Sequence, residues 1–506
     1  MAGGFRSRTK GHSSPRDNRG KRVAPVQKSS PEPRKKGRAN IARTDTRKGN
    51  NTGGGIDVTQ VRGVDKPRVA AYDVVRRVAV EDAFANLVLP KLLRTLKLTG
   101  RDAAFATELT YGTLRCEGLV DSVIADCSSR PLKDIAPEVL AALRLGAYQV
   151  LFMRVEDHAA VDTTVRLVEA VGQGGAKGFA NAIMRSITRK SVDEWIEKLR
   201  PHSDDVVASL AFEHAHPEWI ARSFAHALGT AAEDELATAL AADSQRPIVH
   251  LVARPGEMSA EELALITGCE EGKYSPYAVY LDSGDPGALE PVRQGFAAVQ
   301  DEGSQLIARA LAEAPVEGED SGRWLDLCAG PGGKAALLGA LARIDAAQVD
   351  AVEIAPHRAH LIEKTVNELP VTVKVADGRN PGLDSGYDRV LVDAPCSGLG
   401  ALRRRPEARW RKTEAELKEL TDLQFELLQS AINLTRPGGV VVYSTCSPDI
   451  RETRAIVDRA VAELGVTELP AANLVPDMGN VGEHLSVQMW PHRHGTDAMF
   501  FSVLRV

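Results

Sequence analysis

The 506-residue sequence predicts a multi-domain chain: a disordered basic tail over residues 1–66, an all-α domain over 67–200, a linker and small α+β module over 201–298, and an α/β domain over 299–506. Three observations lead there. Lys and Arg crowd the first fifty residues. Apolar residues then recur at three-to-four spacing from Pro67 to about Lys190 with no strand signal between them. Beyond residue 298, strand-like runs alternate with helical stretches, the rhythm of a doubly wound parallel sheet.

Composition narrows the class before any motif is read. Hydrophobic residues make up 43% and charged residues 26%, as in soluble globular chains. No apolar run approaches the ~18 residues of a membrane helix, so membrane-spanning and fibrous classes drop out. The six cysteines, at 116, 127, 269, 328, 396 and 446, neither pair by spacing nor form a CxxC knuckle. A reducing cytoplasm is the expected location, and no metal is expected.

The formal charge of −5 conceals an asymmetry: residues 1–50 hold 15 Lys/Arg against three Asp/Glu. Such a tail cannot bury enough apolar surface to fold, but it can neutralise phosphates without reading sequence. A solubilising extension is the alternative. The start lacks the apolar core of a signal peptide.

In the helical region, Val69, Tyr72, Val75 and Val78, then Leu140, Leu143, Leu145 and Tyr148, mark buried helix faces. A cluster with Pro201, His202, His214, His216 and Pro217 reads as a solvated linker, because His-x-His spacing splays two rings apart rather than onto one metal. Ile248 to Val252 and Ala278 to Leu281 suggest strands of a small α+β module. The larger sheet is expected to use Trp324 to Leu327, Gln348 to Glu353, Thr372 to Val375, Arg389 to Asp393 and Val440 to Ser444. In such a sheet ligands bind beyond the carboxyl ends of the strands.

The first of these strands runs into Cys328-Ala329-Gly330-Pro331-Gly332-Gly333-Lys334, a glycine-rich turn into a helix. Glycine there lets backbone approach a ligand, and the free amides of the helix start face it. A triphosphate-binding loop needs Gly where Cys328 stands and Ser or Thr where Ala335 stands, and the dinucleotide fingerprint is only partly met. Glu353 closes the second strand, where a carboxylate can accept from both ribose hydroxyls. Asp377 ends the third. Either acid alone reads as a cap or a solvated group. Together with the turn they outline an adenosine pocket, with turn amides on an amino-acid moiety, Glu353 on ribose and Asp377 on the adenine amino group.

Free cysteines are usually small buried hydrophobes, which suits four of the six. Cys396 and Cys446 instead follow apolar strands into turns rich in Pro, Ser and Gly at the ligand edge. A thiol beside a methyl donor suits alkylation at carbon 5 of a pyrimidine. Thiolate addition to carbon 6 makes carbon 5 nucleophilic, and loss of the carbon 5 proton later expels the enzyme. A thiol of pKa about 8.5 needs help to ionise. Asp393 can hold a proton shared with nitrogen 3 of cytosine as charge develops. Residue types and spacing leave the order of the two thiols open, since a Pro-Cys nucleophile such as Pro395-Cys396 suits attack equally.

Asp393-Ala394-Pro395-Cys396-Ser397-Gly398, Ser444-Thr445-Cys446-Ser447 and the turn 328–334 together resemble the S-adenosylmethionine-dependent RNA cytosine carbon-5 methyltransferases. Stretches 300–305, 403–410 and 495–500 extend the likeness to the chain end. Stretches 102–115, 143–151 and 178–185 resemble the NusB-like RNA-binding domain of the bacterial 16S ribosomal RNA methyltransferase B (RsmB/Sun/Fmu) group. The resemblance covers about 67–506. It implies a Rossmann-like catalytic domain, S-adenosyl-L-methionine as cofactor and 16S rRNA as partner; a monomer is expected independently of it. It further implies attack by Cys446, release assisted by Cys396, and a cofactor site lined by Cys328, Ala329, Gly330, Pro331, Gly332, Gly333, Lys334, Glu353, Asp377 and Asp393. Ala335, Glu353, Arg451 and Ala498-Met499 depart from the family's usual residues without removing a named chemical group.

Arg403, Arg404, Arg405, Arg409 and Trp410 form a basic stretch with one aromatic, suited to phosphate contact and base stacking, or else a solvated helix start. RNA contact is expected because the stretch follows an active-site loop. The same chemistry on transfer RNA, or a noncatalytic RNA-binding assembly factor, are the alternative functions. Retention of both thiols and Asp393 argues against the latter.

Overall fold

The computed structural model describes residues 61, 63–201 and 204–506. The basic tail lies outside the described residues up to position 60 and at 62, as does His202.

Asp65 starts the first helix, its carboxylate accepting the Arg68 N–H at 3.1 Å. It is the first of eight α-helices, at Lys66–Glu81, Ala85–Leu96, Gly100–Arg115, Glu117–Cys127, Pro137–Phe152, Asp157–Ala170, Lys177–Ile187 and Val192–Leu199. Pro137–Phe152 is apolar nearly all round and therefore central. The helices starting at Lys66, Gly100, Glu117, Asp157 and Lys177 pack against it, and Leu143, Leu145 and Tyr148 sit in the shared core.

The cluster at 200–217 expected as a solvated linker instead carries a helix, Val206–Glu213, and the helices Glu218–Leu228 and Ala232–Asp243 follow in the stretch where helices were expected. Their apolar faces form a core with Leu399, Leu402 and Trp490 of the last domain. His216 is buried among them, its Nε2 3.1 Å from Asp243 Oδ2. The correction has a plain cause: Val207, Leu210 and Ala211 supply an apolar stripe that packs into this core. A small antiparallel sheet follows, with β1 (Val249–Ala253), β2 (Glu270–Glu271), β3 (Ala278–Leu281) and β4 (Ala297–Val299) in the order β2-β3-β1-β4.

The large sheet contains β5 (Arg323–Asp326), β6 (Gln348–Glu353), β7 (Val371–Val375), β8 (Tyr387–Asp393), β9 (Thr435–Thr445), β10 (Thr467–Leu469), β11 (Val487–Gln488) and β12 (Phe500–Arg505). Its order is β10-β12-β9-β8-β5-β6-β7, with β11 also on β12. The five expected strands pair in parallel. The chain's last strand, β12, returns antiparallel to β9, so the sheet is mixed. Alternation of side chains makes both faces apolar. Trp324, Val440 and Val442 join helices Glu302–Glu313 and Gly333–Ile344 in one core. Leu325, Val441 and Tyr443 join helices Glu416–Leu434 and Arg454–Leu464 in the other. Among the described residues no helix is long and apolar enough to cross a membrane.

Candidate active site

β5, β6 and β7 lie side by side and end together, which puts the glycine turn, Glu353 and Asp377 along one edge. Gly332 has φ 113°, a conformation side chains rarely tolerate, and the helix Gly333–Ile344 starts on it. Gly330 meets a different demand: a Cβ there would lie 2.0 Å from Glu353 Oε2. Buried Glu353 accepts the Ala355 N–H at 2.8 Å and Arg358 Nε at 3.0 Å. Asp377 is partly exposed and held by Arg379 at 2.6 Å. In the turn, Pro331 and Gly333 are exposed, Ala329 is buried with its N–H on Val352 O, and burial pushes the Cys328 thiol well up. Cys328 therefore stays protonated and packs as a small hydrophobe.

The two thiol loops meet across β8 and β9. Cys396 Sγ and Cys446 Sγ are 3.4 Å apart, both half-buried. Their hydrogen bond lowers the Cys446 pKa below the ordinary thiol value and raises that of Cys396. Either sulfur can donate in this contact; with Cys396 as donor, Cys446 is the better thiolate. Beside them Asp393 accepts Lys334 Nζ at 2.9 Å on one oxygen and the Ser444 hydroxyl at 3.0 Å on the other. Lys334, named with the turn for its place in the motif, reaches from the turn to the thiol site. Burial works against its charge, but Asp393 outweighs that and holds its pKa up.

Two acids that sequence reasoning passed over complete the site. Asp326 ends β5 with no exposure, and its Oδ2 has no partner. Burial first, then Asp393, pushes its pKa up to about 7. Glu452 is equally buried and accepts the Ser397 N–H at 2.7 Å. Its partner stands 55 positions away, so no local pattern announces it.

The arginine stretch needs correction. Arg403 is buried, bonding Asp497 at 2.7 Å; Arg404 bonds Asp497 and Asp301; fully buried Arg409 bonds Asp243 at 2.7 Å. The Trp410 indole N–H donates to Leu114 O at 2.9 Å, and its ring lies where a Cβ on Gly118 would be 2.3 Å away. These groups are spent on internal contacts. Of the five named residues only Arg405 is exposed, because the stretch is the seam between the helical region and the catalytic domain. Among the described residues no cluster of His, Cys, Asp and Glu could hold a metal.

The family profile described as 16S rRNA methyltransferase RsmB/F matches residues 310–505, and that of the NusB family matches 65–189. A putative methyltransferase of Mycobacterium tuberculosis strain H37Rv is 54% identical over 446 residues, covering 88% of this chain and 97% of its own. The ribosomal RNA small subunit methyltransferase B of Cronobacter sakazakii is 31% identical, covering 81% and 95%. The crystal structure of PH0851 superposes with a TM-score of 0.71 at 20% identity, covering 87% of this chain and 99% of that one.

Proposed function

The chain belongs to the RsmB/F family of S-adenosylmethionine-dependent methyltransferases, and on that premise we propose that it methylates carbon 5 of a cytosine in 16S rRNA through a covalent bond from Cys446 to carbon 6. The observation that carries the reading is the pair of sulfurs 3.4 Å apart beside the Lys334–Asp393 pair. A purely RNA-binding protein has no use for a thiol whose ionisation is favoured by a second thiol.

The turn 328–334, Glu353 and Asp377 fit an adenosyl ligand, since Gly330 leaves the space beside Glu353 that any Cβ would fill. Arg358 is 45% exposed on the side chain and can leave Glu353 to ribose hydroxyls. When bound, S-adenosylmethionine supplies an electrophilic methyl on a sulfonium.

Cys446 sulfur adds to carbon 6, and the ring's displaced electron pair moves toward nitrogen 3, which takes up a proton from solvent and donates it in a hydrogen bond to the Asp393 carboxylate that Lys334 also holds. Once carbon 5 carries the methyl, its proton must leave. Bonded to carbon, Cys446 no longer shares the Cys396 proton, so Cys396 can lose that proton to solvent and, as thiolate, take the carbon 5 proton. The electrons of that C–H bond restore the ring double bond and expel Cys446 as thiolate. Such attack needs an unstacked base.

Unmethylated 16S rRNA with a methyl-labelled donor tests this. Label should enter RNA, Cys446→Ala should lose transfer and adduct together, and Cys396→Ala should accumulate adduct. Adduct in Cys446→Ala and none in Cys396→Ala would reverse the roles. Bisulfite sequencing names the nucleotide.

A further inference from the structure

Glu452 has no part in the chemistry above, yet it touches both thiol loops. We propose that Glu452 is a positioning residue that locks the Cys396 loop against the Cys446 loop, keeping the releasing sulfur within reach of the attacking one; this rests on the thiol chemistry proposed for the site.

Its carboxylate is fully buried, and among the described residues no Lys or Arg pairs with it. A buried carboxyl group without a counter-ion is tolerated only where hydrogen-bond partners surround it. Three do. The Ser397 N–H reaches Oε1 at 2.7 Å, the Ser397 hydroxyl bonds Oε2, and the Gln424 side-chain amide reaches Oε1 at 3.0 Å. That amide also donates to Pro395 O at 2.9 Å. Cys396 is therefore held on both sides, through the carbonyl before it and the N–H after it.

The second loop enters the same network. The Asp449 N–H donates to Ser447 Oγ at 3.2 Å, and Ser447 Oγ lies 3.2 Å from Ser397 Oγ. With the Ser397 hydroxyl donating to Glu452 at its end, this chain has one polarity: Asp449 N–H to Ser447, Ser447 to Ser397, Ser397 to Glu452. The residue after each cysteine is thus bonded to the other. The Tyr443 hydroxyl donates to Glu452 O at 2.7 Å and fixes the backbone that carries the carboxylate. The fold does not depend on this clamp for its strand pairing, since Asp393 and Ser444 already pair across β8 and β9 and Gly400 N–H bonds Cys446 O.

Glu452→Gln in the full chain tests the clamp with one atom changed, because an amide turns a donor toward Ser397. We expect kcat to fall about tenfold to a hundredfold with KM for RNA unchanged, the scale of a small misplacement of reacting groups. The fraction of enzyme trapped as RNA adduct should rise several-fold, since release is the step that uses Cys396. A purely structural role would lower both steps alike. A second readout needs no RNA. A dipyridyl disulfide exchanges with one thiol, releasing one thiopyridone; the second sulfur then displaces another and closes a Cys396–Cys446 bridge, identified by peptide mapping. Closure should slow about tenfold in the variant. Wild-type partition and wild-type closure in Glu452→Gln overturn the proposal. If that variant does not fold, Ser397→Ala removes the hydroxyl link alone and must shift adduct and closure in the same direction, or the proposal fails. Absence of adduct in Cys396→Ala would sink the thiol chemistry instead, while closure rates still judge the clamp.

Discussion

A hydrogen bond between two sulfurs assigns the thiols different proton affinities. With Cys396 as the donor, Cys446 reaches the thiolate at lower pH than a free thiol and Cys396 keeps its proton. The acidic limb of adduct formation reports that difference. In Cys396→Ala the donor is gone and the Cys446 pKa rises, so the limb should move to higher pH; Cys396→Ser retains a hydroxyl donor and should move it less. Single-turnover adduct formation across pH 5–9 measures it, and an unmoved limb in Cys396→Ala would mean that the sulfur contact does not tune the nucleophile. Lys334 works on the same ground. It is the cation between Asp393 and buried Asp326, so Lys334→Met leaves two neighbouring acids without it and should lower stability by about 3 kcal/mol in denaturant melts.

At the scale of elements, residues 403–411 show where reading a sequence succeeds and where it stops. The strands were legible because a buried parallel strand is a short apolar run ending in a turn, and observed β6 and β3 match the expected runs to the residue. The glycine turn and both thiols were legible because strand ends are where ligands bind. The arginines were not, since Arg403, Arg404 and Arg409 look alike whether they face phosphate or Asp243, Asp301 and Asp497, and those acids stand roughly 90 to 170 positions away. Glu452 and Asp326 escaped for the same reason: their roles come from burial and distant partners. The corrected reading has its own test. Arg409→Met strands Asp243 without its guanidinium and should cost about 3–5 kcal/mol, whereas Arg409→Met with Asp243→Leu should recover much of it. Chemical melts of the three proteins decide. A double variant no better than the single would show that the seam does not depend on this pair.

Across the whole molecule, the seam ties both thiol loops to the helical regions. The Cys396 loop runs into Arg409 and Trp410, while Asp449, three residues past Cys446, accepts the Ser223 hydroxyl at 2.8 Å from the helix Glu218–Leu228. His216 lies in this seam between Asp243, Arg409 and the Phe224 ring. Burial first, then the Arg409 charge, lowers its pKa to about 4 from 6.5, against the pull of Asp243. The unfolded chain takes up a proton at this site below pH 6.5 and the folded chain only near 4, so across that window acid favours unfolding. The contribution is complete above about pH 6.5 and shrinks by about 3 kcal/mol as pH falls to 4. His216→Gln, which cannot titrate, should flatten that part of the stability curve. Because the lost contribution sits at the seam, calorimetry of the full chain should show one transition at pH 7.5 and a separate, earlier one near pH 4.5, as the helical domain detaches before the mixed sheet melts. Equal acid sensitivity in the wild type and His216→Gln would place the weakness elsewhere.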